Sequence, residues 1–194
     1  MDILRESAKA FQKLLDYKYH FIIGRKGKSR EFTIGFDDAD FHHLAGLHKL
    51  RDNVRIQTGK RSDVFEEILS GKITLAQLEK SEFYNEMSVR LDPLSHLEEF
   101  LDDNHLIFRY NEKSHKFSLI KADYLLENKY LNMIIYLFLG ERENENDQMC
   151  RTFFPKQDKD YTVGQAQYTL LKKEKIHLPD GNIEVQYDRL SKKK

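Results

Sequence analysis

The chain has 194 residues, 40% of them hydrophobic, with 32 basic residues balanced by 32 acidic ones. This length is typical of one domain, and only three prolines and nine glycines argue against a disordered protein. The balanced charge excludes a protein that binds nucleic acid through its overall charge, so such binding would need a local basic patch.

The single cysteine, Cys150, excludes an internal disulfide and fits a reducing compartment. Residues 1–20 carry too many charges for a signal peptide. The most apolar run, 131–140, is far shorter than the roughly 20 residues that a membrane helix needs. We therefore expect a soluble, cytoplasmic protein without a membrane partner.

The first part of the chain predicts a helix followed by a hairpin. Four apolar residues recur at helical spacing and predict a helix that ends near Asp16: Leu4, Ala8, Phe11 and Leu15. Ranges 17–23 and 30–36 are rich in aromatic and β-branched residues and predict two strands. Their link, Gly24-Arg-Lys-Gly-Lys-Ser29, resembles the end of a phosphate-binding loop. However, Ile22 stands where that motif needs glycine, and a strand follows where it needs a helix, so we predict a basic hairpin tip that can still contact a phosphate backbone.

Range 36–50 predicts a short helix with three histidines, and Asp37 is its expected N-cap. At about 100° per residue, His43 and His48 lie at the edges of the apolar face, whereas His42 lies on the opposite side. We therefore expect His42 to be solvated and the other two to be half-buried and oriented. Imidazole suits proton transfer near neutral pH, so His43 is the first candidate and His48 the second.

Two other interpretations of this helix are open. A metal site is disfavoured because His43 and His48 are five residues apart, whereas spacings of three or four place two ligands on one helical face. The other interpretation is an ordinary amphipathic helix whose three histidines lie at the edge of the packed face and have no role in a site. Gly46 argues for a special site, because a glycine inside a helix costs roughly 1 kcal/mol against alanine and usually indicates close approach by another backbone or a ligand.

The middle of the chain, 54–103, predicts short connecting helices. Ser62 or Asp63 can cap one that ends at Gly71, Thr74 can start another, and Pro93 can open a third. From residue 105 the pattern changes to strands, which we expect at 105–110, 116–120, 124–126, 129–139, 148–154 and 168–176. The predicted fold is α+β: an antiparallel meander sheet with N-terminal and inserted helices packed on one face. We expect a single domain over 1–194, with 54–103 as a candidate helical insertion.

A second group of candidate residues surrounds the end of the predicted strand 148–154. Arg151 and Thr152 lie there, and a loop then brings Tyr161 and Gln165 back toward them. Arginine is suited to hold a phosphate, while threonine, tyrosine and glutamine supply neutral hydrogen bonds. Tyrosine, including Tyr168, can also stack on a base. The alternative is an ordinary strand end with a capped turn.

The string Phe41-His-His43-Leu44-Ala-Gly46-Leu47 resembles the Phe-x-His-Leu-x-Gly-Leu signature of phage-associated nuclease-like domains of the barnase, EndoU, colicin and RelE-like superfamily. The resemblance extends more loosely to the preceding strand pair and to ranges 152–155 and 161–165. It implies that helical structure precedes a small antiparallel sheet, that His43 is the motif histidine, and that the activity is that of a metal-independent ribonuclease or a tRNA-directed toxin.

The residues and this resemblance together predict a hydrolase of phage or mobile-element origin: a metal-independent endoribonuclease or RNA-targeting toxin that cleaves RNA through attack by the 2′-OH. The catalytic candidates are His43, Arg151 and Tyr161, and the substrate-binding candidates are His48, Thr152, Gln165 and Tyr168. We expect RNA, with tRNA among the targets, and a neutralising protein as partners, and no cofactor or metal. The alternatives are a catalytically inactive RNA- or protein-binding module of the same fold, which the neutral net charge favours, and a purely structural protein.

Overall fold

The computed structural model describes residues 2–115, 118–130, 132–143 and 146–191, apart from the side chain of residue 130. The described part contains eight strands and eight α-helices. In chain order they are α1 (Ile3–Leu14), β1 (Tyr17–Arg25), β2 (Lys28–Ile34), α2 (Asp40–Leu44), α3 (Val54–Thr58), α4 (Arg61–Leu69), α5 (Leu75–Leu78), α6 (Tyr84–Ser88), α7 (Leu91–Ser95), α8 (Leu97–Asp102), β3 (Leu106–Arg109), β4 (Tyr124–Tyr130), β5 (Met133–Glu141), β6 (Gln148–Pro155), β7 (Ala166–His177) and β8 (Ile183–Asp188). Two 3₁₀ turns, Leu47–Lys49 and Glu112–Ser114, complete the set. None of the helices within these ranges has both the length and the apolar character needed to cross a membrane.

The predicted first helix and hairpin are confirmed. Asp2 caps α1 by accepting a hydrogen bond from the backbone N–H of Arg5 (3.1 Å), and the apolar face of α1 is buried. Strands β1 and β2 pair antiparallel, and Lys26 and Gly27 at the tip both have positive φ (51° and 76°). Two consecutive left-handed residues match the twist of a tight hairpin, so the basic tip is a genuine turn.

The strands close into a barrel, so the prediction of an antiparallel meander sheet was wrong, although the mixed α+β content is right. The strand order is β1-β2-β6-β5-β4-β3-β7, and β7 pairs again with β1, which closes a seven-stranded barrel with β8 added outside it. Among the strands of the described residues, only β2 and β6 pair parallel, at Ile34 and Gln148. The alternation of residues within a strand shows which face is buried but not which strand is its partner. Closure pairs β1 with β7, so the sheet has no free edge at these strands, in contrast to an open meander.

Three strand predictions also need correction. The predicted strand 129–139 is divided by a turn at Asn132 (φ 67°), with β4 on one side and β5 on the other. In the predicted strand 116–120, residues 116 and 117 lie outside the described residues, and 118–120 form no strand. Strand β8 was missed, although an Asp180-Gly181 turn followed by alternating apolar and polar residues is a recognised hairpin signal.

Range 54–103 is helical as predicted, but it contains six short helices, α3 to α8, where three were predicted. Thr74 starts α5 with a capping box that includes Gln77, whereas the N-cap of α4 is Lys60 and Pro93 lies inside α7. The apolar side chains of these helices belong to the same core cluster as those of α1 and the strands. The buried Lys173 of β7 donates hydrogen bonds to the last carbonyls of α8 and joins helices to barrel.

Successive residues of β4 and β5 face two different apolar clusters. Leu137 and Leu139 enter the main core, while Tyr136 and Phe138 join a second, smaller cluster with Tyr161. The candidate site lies beside this second cluster, in a cavity that β6 lines on the barrel side.

Candidate functional site

The predicted histidine helix is broken at Gly46. Helix α2 ends at Leu44, and Gly46 adopts φ 75° before the 3₁₀ turn Leu47–Lys49. A straight helix would separate His43 and His48 by about 140° around its axis. The left-handed residue changes the path of the chain instead, and the two imidazole centroids lie 4.8 Å apart. Both rings are half-buried, as predicted.

The prediction that His42 is solvated was wrong. Its side chain is only 2% exposed, and its Nε2–H donates to the backbone carbonyl of Ile56 (2.7 Å). Helix α3 covers the face of α2 that the sequence pattern left free, and no local pattern reports such a long-range contact. His42 therefore joins α2 to α3 and does not face the cavity.

The start of α2 also differs from the prediction. Its N-cap is Ala39, and the Asp37 carboxylate accepts from the N–H of Ala39 (3.0 Å) without capping the helix. Asp40 is buried and forms an ion pair with Arg142 (2.6 Å). Burial is the largest influence on the Asp40 carboxyl and raises its pKa, although Arg142 opposes this effect. The pair anchors α2 to the chain just after β5.

A cavity of about 820 Å³ opens between α2, the start of α7, β6 and the loops around residues 120 and 160. Five of the seven predicted site residues line it: His43, His48, Arg151, Thr152 and Tyr161. These residues come from three separate parts of the sequence, so the fold brings together the two groups of candidates that the sequence suggested separately.

Gln165 and Tyr168 do not line the cavity. The Gln165 side chain accepts from the N–H of Asn111 (2.7 Å) and donates to its carbonyl (3.2 Å), which joins two loops. Tyr168 lies on β7 against the main core, and the Arg25 guanidinium lies 6.0 Å from its ring centroid. The structure gives both side chains positions in the scaffold.

A β-bulge directs Arg151 into the cavity. Leu139 pairs with Cys150 and Phe138 pairs with Thr152, so Arg151 is an extra residue with no partner on β5. Regular alternation would send Arg151 and Thr152 to opposite faces, whereas the bulge allows both to line the cavity. The Arg151 side chain lies over Gly140, where a Cβ would be 2.8 Å from its Nε, and its Nη2 donates to the carbonyl of Glu141 (2.7 Å).

The cavity is strongly basic although the whole chain has no net charge. Among the described residues that line it, five are cationic: Lys49, Arg61, Arg90, Lys121 and Arg151. Glu86 is the one acidic side chain in the same set, and it forms an ion pair with Arg51 (2.9 Å). This is the local patch that nucleic-acid binding by a neutral protein requires.

Both cavity imidazoles are uncharged at neutral pH. Burial, followed by the charge of Arg61, lowers the pKa of His43 to about 4. Burial, followed by the proximity of His43, lowers the pKa of His48 to about 3. Within the described residues, no hydrogen bond involves the ring nitrogens of His43, so its neutral ring is available to accept a proton. The same part of the chain contains no group of three His, Cys, Asp or Glu side chains arranged to hold a metal ion.

The sequence analysis missed Arg61 and Arg90, because it treated 54–103 as connecting helices, and it also missed Lys49 and Lys121. One signal was present. Gly46 indicated a close approach, and a Cβ at this position would lie 2.9 Å from Cδ of Arg90 and 3.4 Å from Cα of Met87. The glycine thus marks the place where the start of α7 meets the histidine segment.

Comparison with known families identifies the family of the chain. A family model described as phage-Barnase-EndoU-ColicinE5/D-RelE like nuclease4 matches residues 3–190. No curated protein and no solved structure is a significant match to the chain. The resemblance inferred from the histidine motif is confirmed, since the match includes that motif and nearly all of the remaining chain. The protein therefore belongs to this phage-associated family of nuclease domains.

Proposed function

We propose that this nuclease domain is a metal-independent endoribonuclease whose active site is the basic cavity. The observation that carries the proposal is the meeting of two neutral imidazoles and a bulge-directed arginine in a cavity lined by five cations. RNA supplies both its own nucleophile, the 2′-OH, and the phosphate charge that such a cavity attracts.

In the proposed mechanism, His43 accepts the proton of the 2′-OH, and the oxygen attacks the adjacent phosphorus. Arg151 stabilises the negative charge of the resulting phosphorane. The Tyr161 hydroxyl, whose pKa is raised by burial and which therefore keeps its proton, donates to the leaving 5′ oxygen. His48 and Thr152 position the substrate. General acid–base catalysis contributes about 10² to 10⁴ in rate, and one electrostatic donor about 10² to 10³.

The experiment is incubation of the purified protein with RNA in EDTA, followed by mapping of the new ends. We expect 2′,3′-cyclic phosphate ends, no cleavage of RNA that is 2′-O-methylated throughout, and a rate at least about 10²-fold lower for His43→Ala at an unchanged melting temperature. Undiminished cleavage by a folded His43→Ala variant, or activity that EDTA abolishes, would contradict the mechanism.

The second candidate is an RNA-binding module without catalysis. The same five cations favour it, because a basic cavity binds phosphates whether or not chemistry follows. Binding of RNA that depends on salt and produces no new ends would identify this function. A toxin role and a neutralising protein partner remain predictions from the sequence.

A further inference from the structure

We propose that Arg90 forms the centre of a preformed subsite that binds one phosphodiester group of the substrate next to His48. This inference rests on the proposed function and extends it to a residue at the N-cap of α7. In this inference Arg90 binds the scissile phosphate before the reaction, whereas Arg151 stabilises the charge that develops during it.

The first argument is that the charge of Arg90 is buried without a direct ion pair, although Glu86 of the same cavity attracts it from a distance. The residue is 8% exposed, and it forms no ion pair with any carboxylate of the described residues. Its Nε is enclosed and has no hydrogen-bond partner in the same part of the chain. Burial lowers its pKa to about 10, which still leaves the guanidinium charged at neutral pH. A buried, unpaired cation is unfavourable unless an anion joins it, and Arg90 faces the cavity through which an anion can enter.

The second argument is that the guanidinium is held in place before any ligand arrives. Its Nη1 donates to Oγ1 of Thr152 (3.2 Å), and its Cζ lies 5.5 Å from the ring centroid of Phe154. On the other side, Gly46 leaves the space that the Arg90 side chain occupies. Donors fixed in this way bind an anion without a further ordering cost.

The third argument identifies the anion as a phosphodiester. A guanidinium presents a planar set of donors that fits two oxygens of a phosphate or a carboxylate. Enclosed Nδ1 of His48, also without a partner among the described residues, adds a polar group beside it. The cations along the rest of the cavity, including Arg61 and Lys121, suit a chain of phosphates better than one carboxylate.

The test measures phosphate binding directly and needs no catalysis. Titration of the full chain with inorganic phosphate, and separately with 2′-O-methyl RNA, is followed by calorimetry and by NMR of the histidine ring protons. We expect Arg90→Met to lower both affinities at least tenfold and Arg90→Lys to restore part of the loss. Arg55→Met is the control, because Arg55 is paired with Glu67 and neither residue lines the cavity.

Stability separates a binding role from a structural one. If the role of Arg90 is to bind an anion, the site without a ligand holds a buried charge that has no ion pair. The substitution Arg90→Met removes this unfavourable charge, so the variant should melt at or above the wild-type temperature in phosphate-free buffer. Added phosphate should raise the melting temperature of the wild type and of Arg55→Met, but not that of Arg90→Met. A lower melting temperature for Arg90→Met, or unchanged affinity for both ligands, would overturn the inference.

The outcomes also distinguish this inference from the proposed function. Binding of 2′-O-methyl RNA that depends on Arg90, in a protein that cleaves no RNA, would support the subsite and contradict the endoribonuclease. In an active enzyme, Arg90→Met should raise KM with a smaller effect on kcat. If Arg90→Met cleaves RNA with an unchanged KM, the subsite is overturned and the proposed endoribonuclease activity is not. If Arg90 affects the binding of inorganic phosphate but not of RNA, the assignment of the subsite to the substrate is overturned.

Discussion

His43 is half-buried and His105 is buried, and their different neighbours give them different roles. His43 faces the basic cavity, where the proposed reaction uses its neutral ring. His105 is 7% exposed and packs edge-on against Phe100, with ring centroids 4.7 Å apart. Burial, followed by the charge of Lys173, lowers the pKa of His105 to about 3. Its protonation therefore affects folding and not the site.

We predict that His105 makes the fold sensitive to acid. The unfolded histidine titrates near 6.5, so between this pH and about 3 the unfolded chain holds a proton that the folded chain does not. The stability contributed by this residue is complete above pH 6.5 and is lost as the pH falls, at about 1.4 kcal/mol per pH unit. Urea unfolding from pH 7 to pH 4 should show a smaller loss for His105→Leu than for the wild type. Parallel losses in the two proteins would refute this role.

At the scale of elements, two glycines and one bulge shape the site. Gly46 ends α2 in a left-handed conformation that an L-residue adopts only at a cost of roughly 1 kcal/mol or more. The bulge in β6 sends Arg151 to the same cavity as Thr152, and Gly140 of the neighbouring strand leaves room for it. The site thus depends on irregular backbone at the ends and interruptions of regular elements.

We predict that Gly140→Ala impairs the reaction and spares the fold. The new methyl group would lie 2.8 Å from Nε of Arg151, the far end of a flexible side chain that can move away. Cleavage should fall by up to about 10² to 10³, the loss expected when one electrostatic donor is removed. The melting temperature should change little. Glu141→Ala is the control, because Arg151 contacts only the backbone carbonyl of Glu141. Full activity of Gly140→Ala would show that the arginine position is unimportant.

At the scale of the whole molecule, the cavity beside the closed barrel is net positive, and the rest of the chain is therefore net negative. The pairing of β1 with β7 unites the ends of the chain, and α1, α4 and α7 pack together in the main core. The chain has 32 residues of each charge sign, yet the described residues that line the cavity include five cations and one acid. Attraction of a polyanion is therefore expected at this cavity and not from the overall charge of the chain.

This distribution predicts the salt dependence of RNA binding. For single strands, the logarithm of the affinity falls with the logarithm of salt concentration by about 0.7 for each phosphate contacted, so contacts from all five cations would give a slope of about −3.5. Lys49→Gln or Lys121→Gln should reduce the magnitude of the slope by about 0.7 each. Lys13→Gln, on the exposed face of α1, should leave it unchanged, as measured by fluorescence anisotropy with 2′-O-methyl RNA. Equal effects of all three variants would mean that RNA binds elsewhere.

Predictions from sequence succeeded where a conformation depends on near neighbours. The apolar spacing around Phe11 predicted α1, and the motif around His43 identified the family. Each of these patterns is formed by residues that lie close together in the sequence. Thr74 likewise predicted the start of α5. The prediction for His42 failed because its burial depends on α3, a separate element that folds over it.

The sequence by itself determined α1, the hairpin, most strands, the family and five of the residues that line the cavity. Only the tertiary structure decided that the sheet closes, that Gly46 turns His48 toward His43, and that Arg90 enters the same cavity. The physical reason is the distance in sequence between the interacting residues. Helix caps and turns are set by hydrogen bonds between residues close in sequence, whereas strand partners and the burial of charge are set by contacts between distant segments.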